Sequence, residues 1–354
     1  MRRLLTNGLL AVMAALLLVA PAQAAVGERP VLSAPWPAAF TFDPGGRIFY
    51  GERFTGEIRI YDPATKSDTL FYTLPDVATS GEQGLLGLAL HPGYPGKPFV
   101  FAYYTRNTNG VENAIVRLTD SGGVGGGLKT LITVPAGGIH NGGVIHFGPD
   151  RRLYAVVGEN GNPANAQNLG INLGKVLRMT ATGGVPSDNP FPGSVVWSFG
   201  LRNSFGFTFD PQTGNLWEPE NGPECNDELN RIVAGGNFAW GPHETCSGDA
   251  PRNTNQDGPR PRILPRAFYP STIAPTGAAF CQGCGLGSSL KGRLVFGDYN
   301  NGDIHAVTLT ADRLDVASQT VVHHHSSGVL GVERAPDGTL YFSDSDGIFR
   351  LVRA

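Results

Sequence analysis

GGIHNGGVIHFGPDRRLYAVVGEN, residues 137–160, sets a His in a glycine-rich turn, then a strand, a Pro-Asp turn, a second strand and an acidic end. The strands VIHF (144–147) and RLYAVV (152–157) are apolar and β-branched or aromatic, so they read as a buried hairpin. Gly137, Gly138, Gly142 and Gly143 flank His140 and Asn141. Glycine lets the backbone take positive φ and lets a ligand approach closely. A His on such a turn is placed for a role, whereas one inside a strand usually only packs. His140 is therefore read as a general base at the centre of a β-propeller.

The same phrase recurs along the chain: an apolar strand, a turn with Pro, Asp or Gly, then an apolar-aromatic strand. It appears as FTFDPGGRIFYGE (40–52), LALHPGYPGKPFVFAYY (88–104), VIHFGPDRRLYAVVGE (144–159), FTFDPQTGNLWEPE (207–220), GSSLKGRLVFGDY (287–299) and GVERAPDGTLYFSDS (331–345). Each copy is read as the inner hairpin of a four-stranded sheet. EIRIYD (57–62), AIVRLT (114–119), DIHAVTL (303–309) and GIFRLV (347–352) supply outer strands. Repeats of this period mean a propeller or solenoid, and short strands without helices favour the propeller. The expected fold is all-β, a six-bladed β-propeller of four-stranded antiparallel blades, one domain over residues 25–354. The competing arrangement is a two-domain sandwich. Residues 241–275 are rich in Pro, Arg, Asn and Asp without apolar periodicity and are read as a surface loop, not a domain linker.

Composition agrees. Gly 49 and Pro 27 in 354 residues fit many tight turns. A net charge of -3 gives no electrostatic reason to expect nucleic acid or an anionic membrane as partner. Residues 1–24 read as a secretory signal: Arg2 and Arg3, an apolar run from Gly8 to Ala20, then Ala22-Gln23-Ala24 as the cleavage site before Ala25. A membrane anchor there would need about 20 apolar residues, more than this run supplies. The mature chain is expected to be secreted or periplasmic, without a membrane span. Export permits disulfides, and Cys225–Cys246 and Cys281–Cys284 are the expected pairs. A redox or zinc site at Cys281-Gln-Gly-Cys284 lacks the following helix or the second CxxC that those sites use.

Loops at one end of a propeller converge on its channel. Five motifs, GEQGLLGLALHP (81–92), IHNGGVIHFGPD (139–150), GLRNSFGFTFDP (200–211), ENGPECNDELN (220–230) and GGNFAWG (235–241), stand in that order. In them the chain resembles the soluble PQQ-dependent sugar dehydrogenases, the glucose/sorbosone dehydrogenase family of six-bladed propellers. The resemblance implies a dehydrogenase acting on a small sugar, with PQQ, Ca2+ and an electron acceptor as partners. On it His140 falls on the catalytic His and Glu159 on the carboxylate that orients the ring. Arg202 and Asn203 fall on the pair beside the quinone. The carbonyls of Gly222 and Pro223 fall on ligands of the cofactor-bound calcium, and Glu228 with the Phe238 carbonyl on a second, structural calcium. The bland reading of Asp227 and Glu228 is turn capping without metal.

The resemblance departs at three places. Glu82 stands where the family carries a Gln close to the catalytic His, and it is counted with the catalytic set. Asn221 replaces a Gln or His beside the calcium loop. The last two blades lack the Lys and two Arg that hold the three carboxylates of PQQ: Asn replaces the Lys in Gly297–Gly302, and Ser326–Gly331 has no Arg. Arg293, Arg260, Arg262 or Arg266 are the candidate replacements. A second function therefore stands beside the first, a non-catalytic propeller binding carbohydrate or a protein partner. A calcium-dependent lactonase ranks third, because few charged candidates remain for its metal. His323-His324-His325 is read as a solvated or channel-rim loop, since neighbours on a strand alternate in direction.

Overall fold

The computed structural model describes residues 26–354. The signal segment and its cleavage site lie outside the described residues. Six four-stranded antiparallel sheets stand in a ring as a six-bladed β-propeller. Five blades follow the chain, over residues 39–73, 85–135, 145–199, 208–269 and 275–324. In each the first strand is innermost and the fourth outermost. The sixth is composite: Gly331–Arg334, Leu340–Ser343 and Gly347–Arg353 are completed by the N-terminal strand Val26–Ser33, paired antiparallel with Gly347–Arg353. Both ends of the described chain share this blade, so opening the ring means breaking a strand pair.

Two features draw the inner strands together. Neighbouring blades clamp apolar side chains between them, as Phe101, Tyr103 and Ile115 of the second blade pack with Ile145, Leu153 and Leu177 of the third. Each such side chain contributes roughly 1.5–3 kcal/mol by burial. Around the axis, backbone touches backbone. A Cβ on Gly87 would sit 2.1 Å from the Gly143 oxygen, and one on Gly277 2.1 Å from the Val332 nitrogen. Below the mouth the channel narrows, and His146 of the third blade meets Glu333 of the sixth, the opposite blade, at 3.3 Å.

Five of the six repeated phrases fall on inner hairpins. The fifth does not: its inner strand is Pro275–Phe280, paired with Leu294–Asp298, and GSSLKG is the connecting turn. PTGAAF carries little aliphatic signal because the axis leaves no room for a side chain at Gly277. Residues 241–275 are also more than a surface loop. They hold the outer strand Ala267–Tyr269 of the fourth blade, and Asn253, Thr254, Asn255 and Asp257 are buried. Their polarity serves internal bonds, from Asn226 Nδ2 to Asn253 Oδ1 (2.7 Å) and from Asn255 Nδ2 to the Phe238 oxygen (2.9 Å). Both expected disulfides are present, and Cys225–Cys246 pins this segment to the 220s loop.

The histidine run is corrected too. Strand alternation sends His323 and His325 into the seam with the sixth blade, where both meet Glu28, at 2.7 and 2.8 Å, and His325 also meets Asp344 at 3.0 Å. Only His324 faces outward, against Asp303. Among the described residues no helix is long and apolar enough to cross a membrane.

Candidate active site

One mouth of the channel opens into a cleft of about 480 Å³. Glu82, His140, Arg202, Asn203, Asn221, Gly222 and Pro223 all line it. Four sequence-distant loops therefore reach one space, as the propeller geometry requires.

His140 adopts φ 56°, a left-handed turn conformation uncommon outside glycine. Its carbonyl packs so closely on Gly158 that a Cβ there would lie 2.2 Å away. The turn is held on every side. Tyr103 Oη donates to the Asn141 oxygen (2.8 Å), Gly142 N donates to Asn203 Oδ1 (3.1 Å), and His140 N donates to Glu82 Oε2 (2.6 Å). Glu159 is buried behind the ring, with its two oxygens 2.7 and 2.8 Å from His140 Nδ1. A carboxylate can only accept, so Nδ1 carries the hydrogen and Nε2 keeps its lone pair. Gly161 N donates to the same carboxylate, which fixes it. Glu159 is thus a buried hydrogen-bond partner of the ring, placed by the paired strand.

Glu82 does not touch the ring. Its Oε2 accepts from His140 N and from Asn203 Nδ2 (3.2 Å), which ties three loops together. Both contacts are donors, so a carboxylate serves as well as an amide oxygen. Arg202 N donates to Glu220, Arg202 Nη1 donates to the Asn221 oxygen (3.1 Å), and the guanidinium lies over Trp240. Asn221 turns its side chain away, onto the Pro275 oxygen.

The 220s loop separates the cleft from a cavity of about 10 Å³, room for one small ion or water. Glu220, Gly222, Pro223, Asn226, Glu228 and Asn255 line that cavity. Asp227 caps the loop by accepting from the nitrogens of Gly222, Ile273 and Ala274, so the turn-capping reading holds for it. Glu228 is different. With Glu218 and Glu220 it shares the donor group Asn230 Nδ2, at 3.1, 3.3 and 3.0 Å, and Glu220 alone of the three also accepts from a backbone nitrogen, that of Arg202. Glu218 Oε1 and Asn230 Oδ1 have no partner. Burial pushes Glu218 up to about 8 and Glu228 to about 7, and burial with repulsion from its neighbours pushes Glu220 well above the usual carboxylate range. So many under-donated carboxylates are chemically suited to a hard cation. The Gly222 and Pro223 carbonyls accept no hydrogen bond from any described group, and the residues present fit Ca2+ at this loop. The Phe238 oxygen already accepts from Asn255.

For a tricarboxylate quinone the fit is met from an unexpected side. Arg293, Arg260, Arg262 and Arg266 do not line the cleft. Asn300 does, and so does Arg53 of the first blade, which the sequence reading missed. The only signal for it is positional: Arg53 directly follows Gly51-Glu52, which ends the first repeat as Gly158-Glu159 ends the third. Arg53 and Arg202 give the cleft two guanidiniums, and its volume admits a flat tricyclic ligand.

A family model described as glucose/sorbosone dehydrogenase matches residues 32–353. The chain is 29% identical over 238 residues to quinoprotein glucose dehydrogenase B of Acinetobacter calcoaceticus, covering 58% of this chain and half the length of that protein. It is 26% identical to an aldose sugar dehydrogenase of Escherichia coli, covering 91% and 90% of the two chains. The PQQ-bound aldose sugar dehydrogenase of Streptomyces coelicolor is similar in structure, with 30% identity, a TM-score of 0.79, and coverage of 92% and 97%.

Proposed function

This chain belongs to the glucose/sorbosone dehydrogenase family of oxidoreductases, and from that premise we propose that it oxidises an aldose sugar at the anomeric carbon to the lactone, with PQQ and Ca2+, after export. The observation that carries the proposal is the His140–Glu159 pair: a ring whose Nδ1 is fixed at 2.7 Å, leaving Nε2 for the cleft that the ring lines.

The anomeric hydroxyl gives its proton to His140 Nε2 while the hydride leaves the anomeric carbon and the C=O bond of the lactone forms. Bound PQQ supplies the acceptor for that hydride. Glu159 steadies the imidazolium that develops, and water in the open mouth later takes its proton. Glu82 and Asn203 hold the His140 turn in register. Arg202 and Asn203 would bind PQQ, the Gly222 and Pro223 carbonyls would hold its Ca2+, and Glu228, with the Phe238 carbonyl through the lone pair that Asn255 leaves free, would hold a second, structural Ca2+. Export accords with the two disulfides and the leader read at residues 1–24.

The experiment adds PQQ and Ca2+ to the purified chain and assays aldoses with an artificial electron-accepting dye. Dye reduction by at least one aldose is expected, with loss of reduction in His140→Ala. If no aldose reduces the dye and PQQ absorbance is unchanged by the protein, the chain is a binding propeller instead.

A further inference from the structure

The cleft's two guanidiniums share an anomaly. The arginine–carboxylate pairs of the described residues involve Arg47, Arg59, Arg106, Arg178, Arg266 and Arg313, not Arg53 or Arg202. Arg53 is the more exceptional. It is largely buried, and burial pushes its guanidinium below the ordinary range while it stays charged. Its protein partners are two backbone carbonyls, Gln83 O on Nε at 3.0 Å and Gly81 O on Nη2 at 2.5 Å. Nη1 donates to no described group. The plane lies 5.4 Å from the Trp36 ring centre and 4.8 Å from that of Phe54. The fork is therefore fixed before any ligand arrives, so little rotamer entropy remains to be lost on binding.

The carboxylates that line the cleft do not contact this charge, and Glu82 acts on it only from a distance. Asp227 is saturated by three backbone amides. Glu82 is engaged by His140 N and Asn203 Nδ2 and forms no ion pair with Arg53. A desolvated cation without a counter-ion is costly unless something supplies the anion.

We propose that Arg53 pairs with a carboxylate of the anionic ligand in the mouth, taking from the first blade the part that Asn300 and the Ser326–Gly331 loop leave unfilled in the last two. This rests on the PQQ reading above. Arg53 stands on the first blade and Arg202 on the connection between the third and fourth, on the far side of the ring, so a rigid polycarboxylate is gripped at two edges. The remaining wall, Trp36, Tyr299 and Leu330, offers no cation.

The test separates charge from scaffolding. PQQ and its trimethyl ester are titrated with Ca2+ into wild type, Arg53→Gln and Arg53→Lys, following tryptophan fluorescence, with a thermal melt of each protein. Wild type is expected to bind PQQ more tightly at low salt. Arg53→Gln weakens PQQ at least tenfold while shifting ester binding less than twofold. Arg53→Lys, which keeps the charge but loses the fork, falls between. Arg53 also holds residues 81 and 83, and a purely structural loss would weaken acid and ester alike. Equal loss for both ligands, or no loss for either, overturns the proposal and leaves the PQQ reading standing. If wild type binds neither ligand, the PQQ reading itself fails and takes this inference with it.

Discussion

Two histidines six residues apart in GGIHNGGVIHF sit at opposite extremes of use. His140 leaves the ladder on a left-handed turn, lines the open cleft and has a carboxylate at 2.7 Å on Nδ1. His146 stays in the strand Ile145–Phe147, edge-on to Phe207, with Glu333 at 3.3 Å across the narrowed channel. Burial drives His146 down to about 4 and Glu333 well above the usual carboxylate range, so it favours the neutral form of each. The residue type is the same and the carboxylate partner is the same. What differs is hydrogen-bond support: Glu159 also accepts from Gly161 N, whereas Glu333 has no second donor to favour its ionised form. A His–carboxylate pair on a donor-supported turn at the open cleft is thus set in a different environment from one packed in the lumen without a second donor.

The largest effect is expected from His140→Ala. It removes the proton acceptor and should lower kcat by 10²–10⁴-fold, with PQQ and sugar binding within about twofold by titration. A kcat within tenfold of wild type would place the base elsewhere and end the contrast. Glu159→Gln comes next. The amide oxygen still accepts from Nδ1, so the ring keeps its pose, but the negative charge facing the developing imidazolium is gone. A fall in kcat of about 10–100-fold with KM nearly unchanged is expected. Equal rates for Glu159→Gln and wild type would make Glu159 a packing group, no different from Glu333.

His146→Gln should be silent in the dye assay and visible in stability. An unfolded imidazole titrates near 6.5, and the buried ring near 4. Between those values only the unfolded chain takes the proton, so His146 lowers stability as pH falls from about 6.5 to about 4. The full effect is up to about 3 kcal/mol. Glu333 titrates in the opposite sense, so the measurement is the difference in chemical denaturation between wild type and variant at pH 4.5 and 7. A difference that is flat with pH would show that lumen water keeps His146 titrating normally.

The sequence carried the periodic part of this molecule and lost the part that depends on closure. Strand–turn–strand phrases announced the blades because period-2 burial writes itself into residue type. His140, Glu159 and the 220s loop were legible because a glycine-rich turn and an acidic strand end are local features. Carboxylates recur at the end of the second strand in five blades, at Glu52, Glu159, Glu220, Asp298 and Asp344. Their partners differ and lie far off in sequence. Arg53 was overlooked because its place in the cleft depends on a ring closed some 300 residues later, and Asn253–Asp257 because buried polar groups look like solvated ones until the groups they satisfy are known. Pro275–Phe280 was missed for the opposite reason, its side chains having been pared away by contact at the axis.

The smallest effect tests a third kind of His–carboxylate contact, at the seam that closes the ring. Glu28 accepts from His323 Nε2 and His325 Nδ1, while the far nitrogens face the Val26 oxygen at 3.0 Å and Asp344 at 3.0 Å. This cluster ties the N-terminal strand to the fifth blade and has no contact with the cleft. Glu28→Gln keeps an acceptor oxygen and the shape but loses the charge-assisted part of two hydrogen bonds. Glu28 is partly exposed, so the cost is about 1 kcal/mol, read as a melting temperature lower by about 1–3 °C. Turnover should stay within twofold. A variant that melts like wild type yet loses activity would mean that seam and site are coupled, and that a histidine's role here cannot be assigned from its nearest carboxylate alone.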